Sequence, residues 1–143
     1  MASNVDLRDI YWLAGFYEGE GTAHAHKTNG GFLSAVITQK NLEPIERCLR
    51  LWGGRIYNVN NYDPNRHYSQ WILSGGRAAG VLMTIYPLLT KRRQGQIAKA
   101  LKTWRSIRTQ KQVAAANEFR RDPATGRYRL VSGEYIQGEA SIR

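Results

Sequence analysis

The residues best suited to chemistry lie near the N-terminus, in Trp12-Leu13-Ala14-Gly15-Phe16-Tyr17-Glu18-Gly19-Glu20-Gly21. The segment reads as a helix that ends in an acidic residue between two glycines. Outward-pointing carbonyls and a carboxylate, at the negative end of a helix dipole, suit a hard cation such as Mg²⁺. Gly15 and Gly19 lie four apart on one face, and each costs about 1 kcal/mol of helix propensity relative to Ala. Close approach of a partner helix accounts for them, so Ala14, Gly15, Glu18 and Gly19 are the expected dimer contacts. Two such helices about a two-fold axis bring two Glu20 carboxylates together. That arrangement is unfavourable unless cations neutralise it. It also holds the two scissile phosphates of a duplex, which is a setting for metal-assisted phosphodiester hydrolysis. The competing reading is a glycine-containing core helix with no metal.

The elements that position this segment follow from periodicity. Asn4 or Asp6 caps the first helix, whose Ile10, Leu13, Ala14 and Tyr17 face a core. Gly21–Thr28 and Phe32–Lys40 read as strands joined by a turn at Asn29-Gly30-Gly31. Asn41 caps a second helix with a stripe of Leu42, Ile45, Cys48, Leu49 and Trp52, stopped by Gly53-Gly54. Arg55–Tyr62 and His67–Ser74 read as two more strands around Asp63-Pro64-Asn65. Helices are expected over Gly75–Tyr86 and Gln94–Arg108. The order is helix, hairpin, helix, hairpin, helix, helix, an α+β domain with four antiparallel strands. Residues 109–143 form a basic C-terminal extension. Within it Asp122-Pro123-Ala124-Thr125-Gly126 is a turn sequence flanked by Arg120, Arg121, Arg127 and Arg129, read as a hairpin or a DNA-contacting arm, with a disordered tail as the alternative.

In Leu13 to Gly21 the sequence resembles the LAGLIDADG homing endonucleases, with Glu at both acidic positions of the signature. The order of elements over residues 5–108 agrees with that family's αββαββα domain. The resemblance implies that Glu20 binds the metal, with the Gly19 carbonyl as a neighbouring ligand. It implies that Gln39, in Ile37-Thr38-Gln39-Lys40, stands near the metal and its water. Lys91 looks like the basic residue that stabilises charge on the phosphate, with Arg92 as its competitor and phosphate anchoring as the plainer role for both. Two positions depart from the pattern: Glu43 stands where a basic or polar residue is usual, and Gly95 where a helix former is usual.

Alternation predicts the open face of the sheet. It comprises Thr22, His24, His26 and Thr28 on the first strand, and Ser34, Val36 and Thr38 on the second. Asn58 and Asn60 on the third and Tyr68, Gln70 and Ile72 on the fourth complete it, with Trp71 and Leu73 turned to the core. His, Thr, Asn and Gln hydrogen-bond base edges in the major groove. His24 and His26 also have the spacing of a zinc-binding pair, but no third ligand is evident. Tyr62, Arg66 and His67 cluster at the second turn, where they would touch phosphates or solvent.

Composition bounds the function. The 143 residues, 42% hydrophobic and 10% aromatic, fit one globular domain with an appendage. The single cysteine, Cys48, excludes an intrachain disulfide and a multi-cysteine zinc site. No apolar run suits a membrane span or signal peptide, so an intracellular setting is expected. Net charge is +10, and residues 91–143 carry thirteen Lys/Arg against four Asp/Glu. Residues 1–90 carry eight against seven. Such asymmetry is the footprint of a nucleic-acid binder. The leading expectation is a homodimeric, Mg²⁺- or Mn²⁺-dependent endonuclease that cuts a long, near-palindromic double-stranded DNA site. The alternatives are a non-cutting binder of the same fold, either an RNA maturase or a DNA-binding regulator, and an unrelated basic RNA-binding protein.

Overall fold

The computed structural model describes residues 4–28, 31–60, 67–121, 124 and 128–130. In chain order the elements are α1 (Leu7–Glu20), β1 (Gly21–His26), β2 (Phe32–Gln39), α2 (Leu42–Trp52), β3 (Arg55–Asn60), β4 (His67–Ser74), α3 (Gly75–Ile85), a 3₁₀ turn (Tyr86–Leu88), α4 (Lys91–Glu118), β5 (Phe119–Arg121) and β6 (Tyr128–Leu130). The turn sequence at 61–66, with Tyr62 and Arg66, and Arg127 lie outside the described residues. The side chains of Asn60, Arg120, Arg121 and Arg129 do so as well.

The first two helices start where a side chain satisfies a free amide. Asp6 caps α1 and accepts from the Asp9 amide at 3.0 Å, while the Asp9 carboxylate accepts from the Asp6 amide, closing a capping box. Asn41 caps α2 through the Glu43 amide, and Gly53 ends that helix at φ +72°. Gly54 is also obligatory, since a Cβ there would run into the Ile72 carbonyl. Beside it, the Trp71 indole donates to the Gly53 carbonyl at 2.7 Å and locks the corner between α2 and β3.

The four main strands form one antiparallel sheet in the order β1-β2-β4-β3. Residues of alternate parity meet the helices: Leu33, Ala35, Ile37, Trp71 and Leu73 are all buried. Against them pack Leu13 and Tyr17 of α1, Ile45 and Cys48 of α2, Ala78, Leu82 and Ile85 of α3, and Ile97 of α4. The aromatic ring of Trp71 alone removes a large apolar area from water, which makes it the anchor of the sheet. Between helices, Arg47 of α2 bonds Asp9 of α1 at 2.9 Å and lies 4.1 Å over the Trp12 ring. No helix among the described residues is long and apolar enough to cross a membrane.

Boundaries differ from the sequence expectation most at β1, α3 and α4. β1 ends at His26, so Thr28 belongs to the turn, where its carbonyl accepts from the Gly31 amide at 3.1 Å. α3 gives way at Ile85 to the Tyr86–Leu88 turn, in which the Leu89 amide returns to the Tyr86 carbonyl. α4 begins at Lys91 rather than Gln94, because the Gln94 amide already bonds the Thr90 carbonyl. It also runs on to Glu118: residues 109–118 hold three alanines, two glutamines and a lysine, with no glycine or proline. The chain forms two compact units, Met1–Trp104 and Arg105–Arg143. In the second, β5 pairs antiparallel with β6.

Candidate active site and nucleic-acid interface

The C-terminal end of α1 is an electrostatically unusual helix terminus. Its last turn carries Glu18 and Glu20 and no basic residue. Carboxylates there oppose the dipole. Each is handled differently. Glu18 turns to the start of α4: its carboxylate accepts from the Thr90 hydroxyl at 2.7 Å and the Thr90 amide at 3.1 Å. Those bonds first, and then the charges of Arg93 and Arg92, hold its pKa below the ordinary carboxylate value. Glu20 is exposed and makes no hydrogen bond or ion pair with any described residue. Its carboxylate is the free charge of the site.

Arg93 closes this terminus and was not anticipated from sequence. It is only 7% exposed. Its Nε donates to the Glu18 carbonyl at 2.9 Å, its Nη1 to the Gly21 carbonyl and to Gln96 Oε1, and its Nη2 to the Gly19 carbonyl at 3.3 Å. The guanidinium thus spans the junction of α1 and β1 with Glu20 at its centre. Burial among three neighbouring arginines and lysines in Lys91-Arg92-Arg93 gave no sequence signal. The only hint was that one residue of such a run must face inward once the helix begins at Lys91.

The predicted basic residues are held beside the same turn. Lys91 and Arg92 sit between Thr90, bonded to Glu18, and Arg93, bonded to the α1 carbonyls, and both are exposed. Gln39 is at the matching end of the sheet, two residues past Ile37, the partner of Gly21. Its Oε1 accepts from the Lys40 amide at 2.8 Å. Glu20, Gln39, Lys91 and Arg92 therefore border one end of the sheet. No group of three or more His, Cys, Asp or Glu suited to a metal occurs among the described residues. One chain contributes one free carboxylate, with the Gly19 carbonyl beside it. This donor set fits a hard divalent cation only when completed by a second chain or by substrate oxygens.

The outer face of α1 shows what the glycines leave open. Tyr11 is 57% exposed, and Gly15 and Gly19 follow it on the same stripe. A Cβ built at either glycine meets nothing within 4 Å. Nothing in the packing of the described residues requires them. Gly21 contrasts, since a Cβ there would enter the Tyr17 ring. The other two expected dimer contacts are engaged within the chain. Ala14 is buried in the core at 4% exposure, and the Glu18 carboxylate is committed to Thr90.

The open face of the sheet is a concave surface bearing Thr22, His24 and His26 of β1 and Val36 and Thr38 of β2. Gln70 and Ile72 of β4 continue it, and Gln70 Nε2 donates to Thr38 Oγ1 at 3.2 Å. Tyr68 lies in register further along β4, with Lys40 Nζ 5.5 Å above its ring. Ser34 lies on this face, yet is 2% exposed, because His26 bonds its hydroxyl at 3.0 Å and stacks on Phe32 at 4.3 Å. The His24 and His26 rings stand 6.1 Å apart.

On β3 the predicted parity is wrong. Tyr57 pairs with Gln70 and Arg55 with Ile72, so Arg55, Tyr57 and Val59 share the open face. Asn58 pairs with the buried Ser69 and accepts from its hydroxyl at 3.3 Å, so its register is that of the helix side, although it stays exposed and borders the same concave surface. Asn60 has the same register parity as Asn58. Ile56, opposite Trp71, fixes this phase. Its apolar side chain between Arg55 and Tyr57 was the signal available in the sequence.

No family model matches this sequence, and no curated protein matches it. Solved structures do. The homing endonuclease I-CvuI, in complex with its target and 2 mM Ca, superposes with a TM-score of 0.59 at 18% identity, over 78% of this chain and 74% of that one. I-CvuI on the I-CreI target with 2 mM Mg, where the DNA is not cleaved, gives 0.52 at 19% identity, over 71% and 66%. The archaeal intron-encoded homing endonuclease I-Vdi141I with DNA gives 0.48 at 21% identity, over 60% of each chain. The architecture of this chain is the α+β fold of the LAGLIDADG homing endonucleases, resembled also by its Leu13–Gly21 segment.

Proposed function

We propose that the chain is one half of a homodimeric, divalent-metal-dependent endonuclease that cuts both strands of a long, near-palindromic DNA site. The observation that carries this reading is a Glu20 carboxylate with no partner among the described residues, at the end of a helix whose outer glycine stripe none of those residues covers. Isologous pairing of that stripe brings two Glu20 side chains together and sets two open sheet faces side by side. The structural neighbours were solved on DNA with Ca or Mg, which supports a duplex and a divalent cation as ligands.

Glu20 and the Gly19 carbonyl of each chain would hold the cation. It would supply Lewis-acid activation and neutralise charge on the phosphate. The remaining roles belong to protein groups. Thr22, His24, Thr38, Tyr57 and Gln70 face base edges, and Arg55 reaches backbone or guanine. Lys91 and Arg92 place positive charge next to the terminus of α1, where a scissile phosphate would gain negative charge. Gln39 offers an amide at the same edge for orienting water. The basic composition of the C-terminal extension would add sequence-independent affinity.

The test is incubation of the full chain with a randomised library of duplex sites and Mg²⁺, with cleaved and bound fragments sequenced separately. Cleavage at near-palindromic sites supports the reading. Enrichment of bound, uncut DNA identifies a non-cutting binder, and capture of structured RNA in a parallel arm identifies a maturase-like role.

A further inference from the structure

Arg93 is a buried cation without a carboxylate partner among the described residues. Taking a guanidinium out of water costs several kcal/mol unless its donors are satisfied. Here four of its five N–H groups are bonded, three of them to the carbonyls of Glu18, Gly19 and Gly21. Those carbonyls are the negative pole of α1, so the cation offsets the dipole that the two glutamates worsen. The fork also reaches either side of Glu20. Both neighbours of that residue, Gly19 and Gly21, lack a side chain of their own to fix the backbone. Gly19 and Glu20 end α1, which closes with the Gly21 amide on the Tyr17 carbonyl, and Arg93 bonds the carbonyls on both sides of Glu20.

We infer that Arg93 is a positioning residue: it fixes the Gly19 carbonyl and the Glu20 carboxylate in one arrangement, and thereby sets the affinity of the site for a divalent cation. The inference rests on the proposed nuclease function and deepens it. The long 3.3 Å bond to the Gly19 carbonyl, against 2.9 Å to the Glu18 carbonyl, orients that oxygen while leaving a lone pair for the cation. Lysine cannot substitute, because a single ammonium cannot reach three carbonyls in a planar fork.

The experiment compares the full chain with Arg93→Lys and Arg93→Ala on a duplex selected from the site library. Mn²⁺ binding to the protein–DNA complex is followed by electron paramagnetic resonance, duplex affinity by fluorescence anisotropy without metal, and cleavage by single turnover. Misplacement of a reacting group by about 1 Å costs about a hundredfold in rate. The expected result is weakened Mn²⁺ binding and about a hundredfold slower cleavage in Arg93→Lys, with duplex affinity kept. Free guanidinium added to Arg93→Ala should restore both, which a loss of general stability would not allow. A folded Arg93→Lys with parental Mn²⁺ affinity and parental cleavage overturns the inference, whatever Arg93→Ala does. A parent chain that binds DNA but neither binds Mn²⁺ nor cuts overturns the nuclease reading and this inference with it. Parental loss of Mn²⁺ on Glu20→Gln with none on Arg93→Lys overturns the inference alone.

Discussion

Gly15 lies in the interior of α1, five residues before its end, on a stripe that faces away from the core. Substitution by Ala separates two effects that the single chain and the dimer weigh differently. Within one chain the added Cβ meets nothing within 4 Å, so the change acts through backbone entropy alone. Helix propensity then favours Ala by about 1 kcal/mol. In a dimer that packs this stripe at backbone distance, two methyl groups enter the interface, one from each copy. Overpacking costs about 1–3 kcal/mol per intrusion, hence at least about 2 kcal/mol for the pair. The propensity gain is common to monomer and dimer and cancels from the dissociation equilibrium. The dimer dissociation constant should therefore rise at least about thirtyfold while the monomer becomes more stable. Sedimentation velocity over a dilution series, with urea denaturation at the lowest concentration, reads both. A more stable Gly15→Ala chain with an unchanged dimer constant would show that the stripe is solvated and the pairing argument mistaken.

Three other outcomes follow from the structure. Tyr57→Ala and Arg55→Ala should each weaken duplex binding by about 1–3 kcal/mol in an anisotropy titration, with relaxed selectivity at one position per half-site. Asn58→Ala should instead lower the melting temperature, since it strips the buried Ser69 hydroxyl of its acceptor, and leave binding nearly unchanged. Burial pushes the Cys48 thiol from 9.0 and the Tyr17 phenol from 10.0 up to about 12 each. Both groups take up protons more tightly when folded, so their contribution is fully present below pH 9 and is lost as pH rises towards about 12. Cys48→Ala should flatten the first part of that decline in denaturant melts recorded from pH 8 upward.

The order of elements was legible because apolar periodicity and turn residues agree along the chain. Leu13, Ala14 and Tyr17 recur at helical spacing and are buried, Gly53-Gly54 stop α2, and the buried Trp71 and Leu73 alternate with Gln70 and Ile72 of the open face. The open face followed by parity on β1, β2 and β4. It failed on β3 because polar Asn58 reads as outward, whereas Ile56 against Trp71 sets the phase through a long-range pairing. The two glycines were identifiable by their propensity cost, but Ala14, equally small, is spent on the core. Arg93 was invisible for a different reason. Its role depends on a hydrogen-bond network to residues more than seventy positions away, and no local pattern distinguishes it from Lys91 and Arg92.

The central claim is that the free charge at the end of α1 performs the chemistry. Glu20→Gln preserves size and removes that charge, and since Glu20 has no partner among the described residues, folding should not suffer. In a symmetric dimer both halves of the site lose a carboxylate together. The decisive measurement is single-turnover cleavage of the selected duplex in Mg²⁺ beside metal-free duplex affinity and melting temperature. The account predicts cleavage reduced by several orders of magnitude, with affinity and melting temperature held at parental values. Near-parental cleavage by a folded Glu20→Gln protein would contradict it.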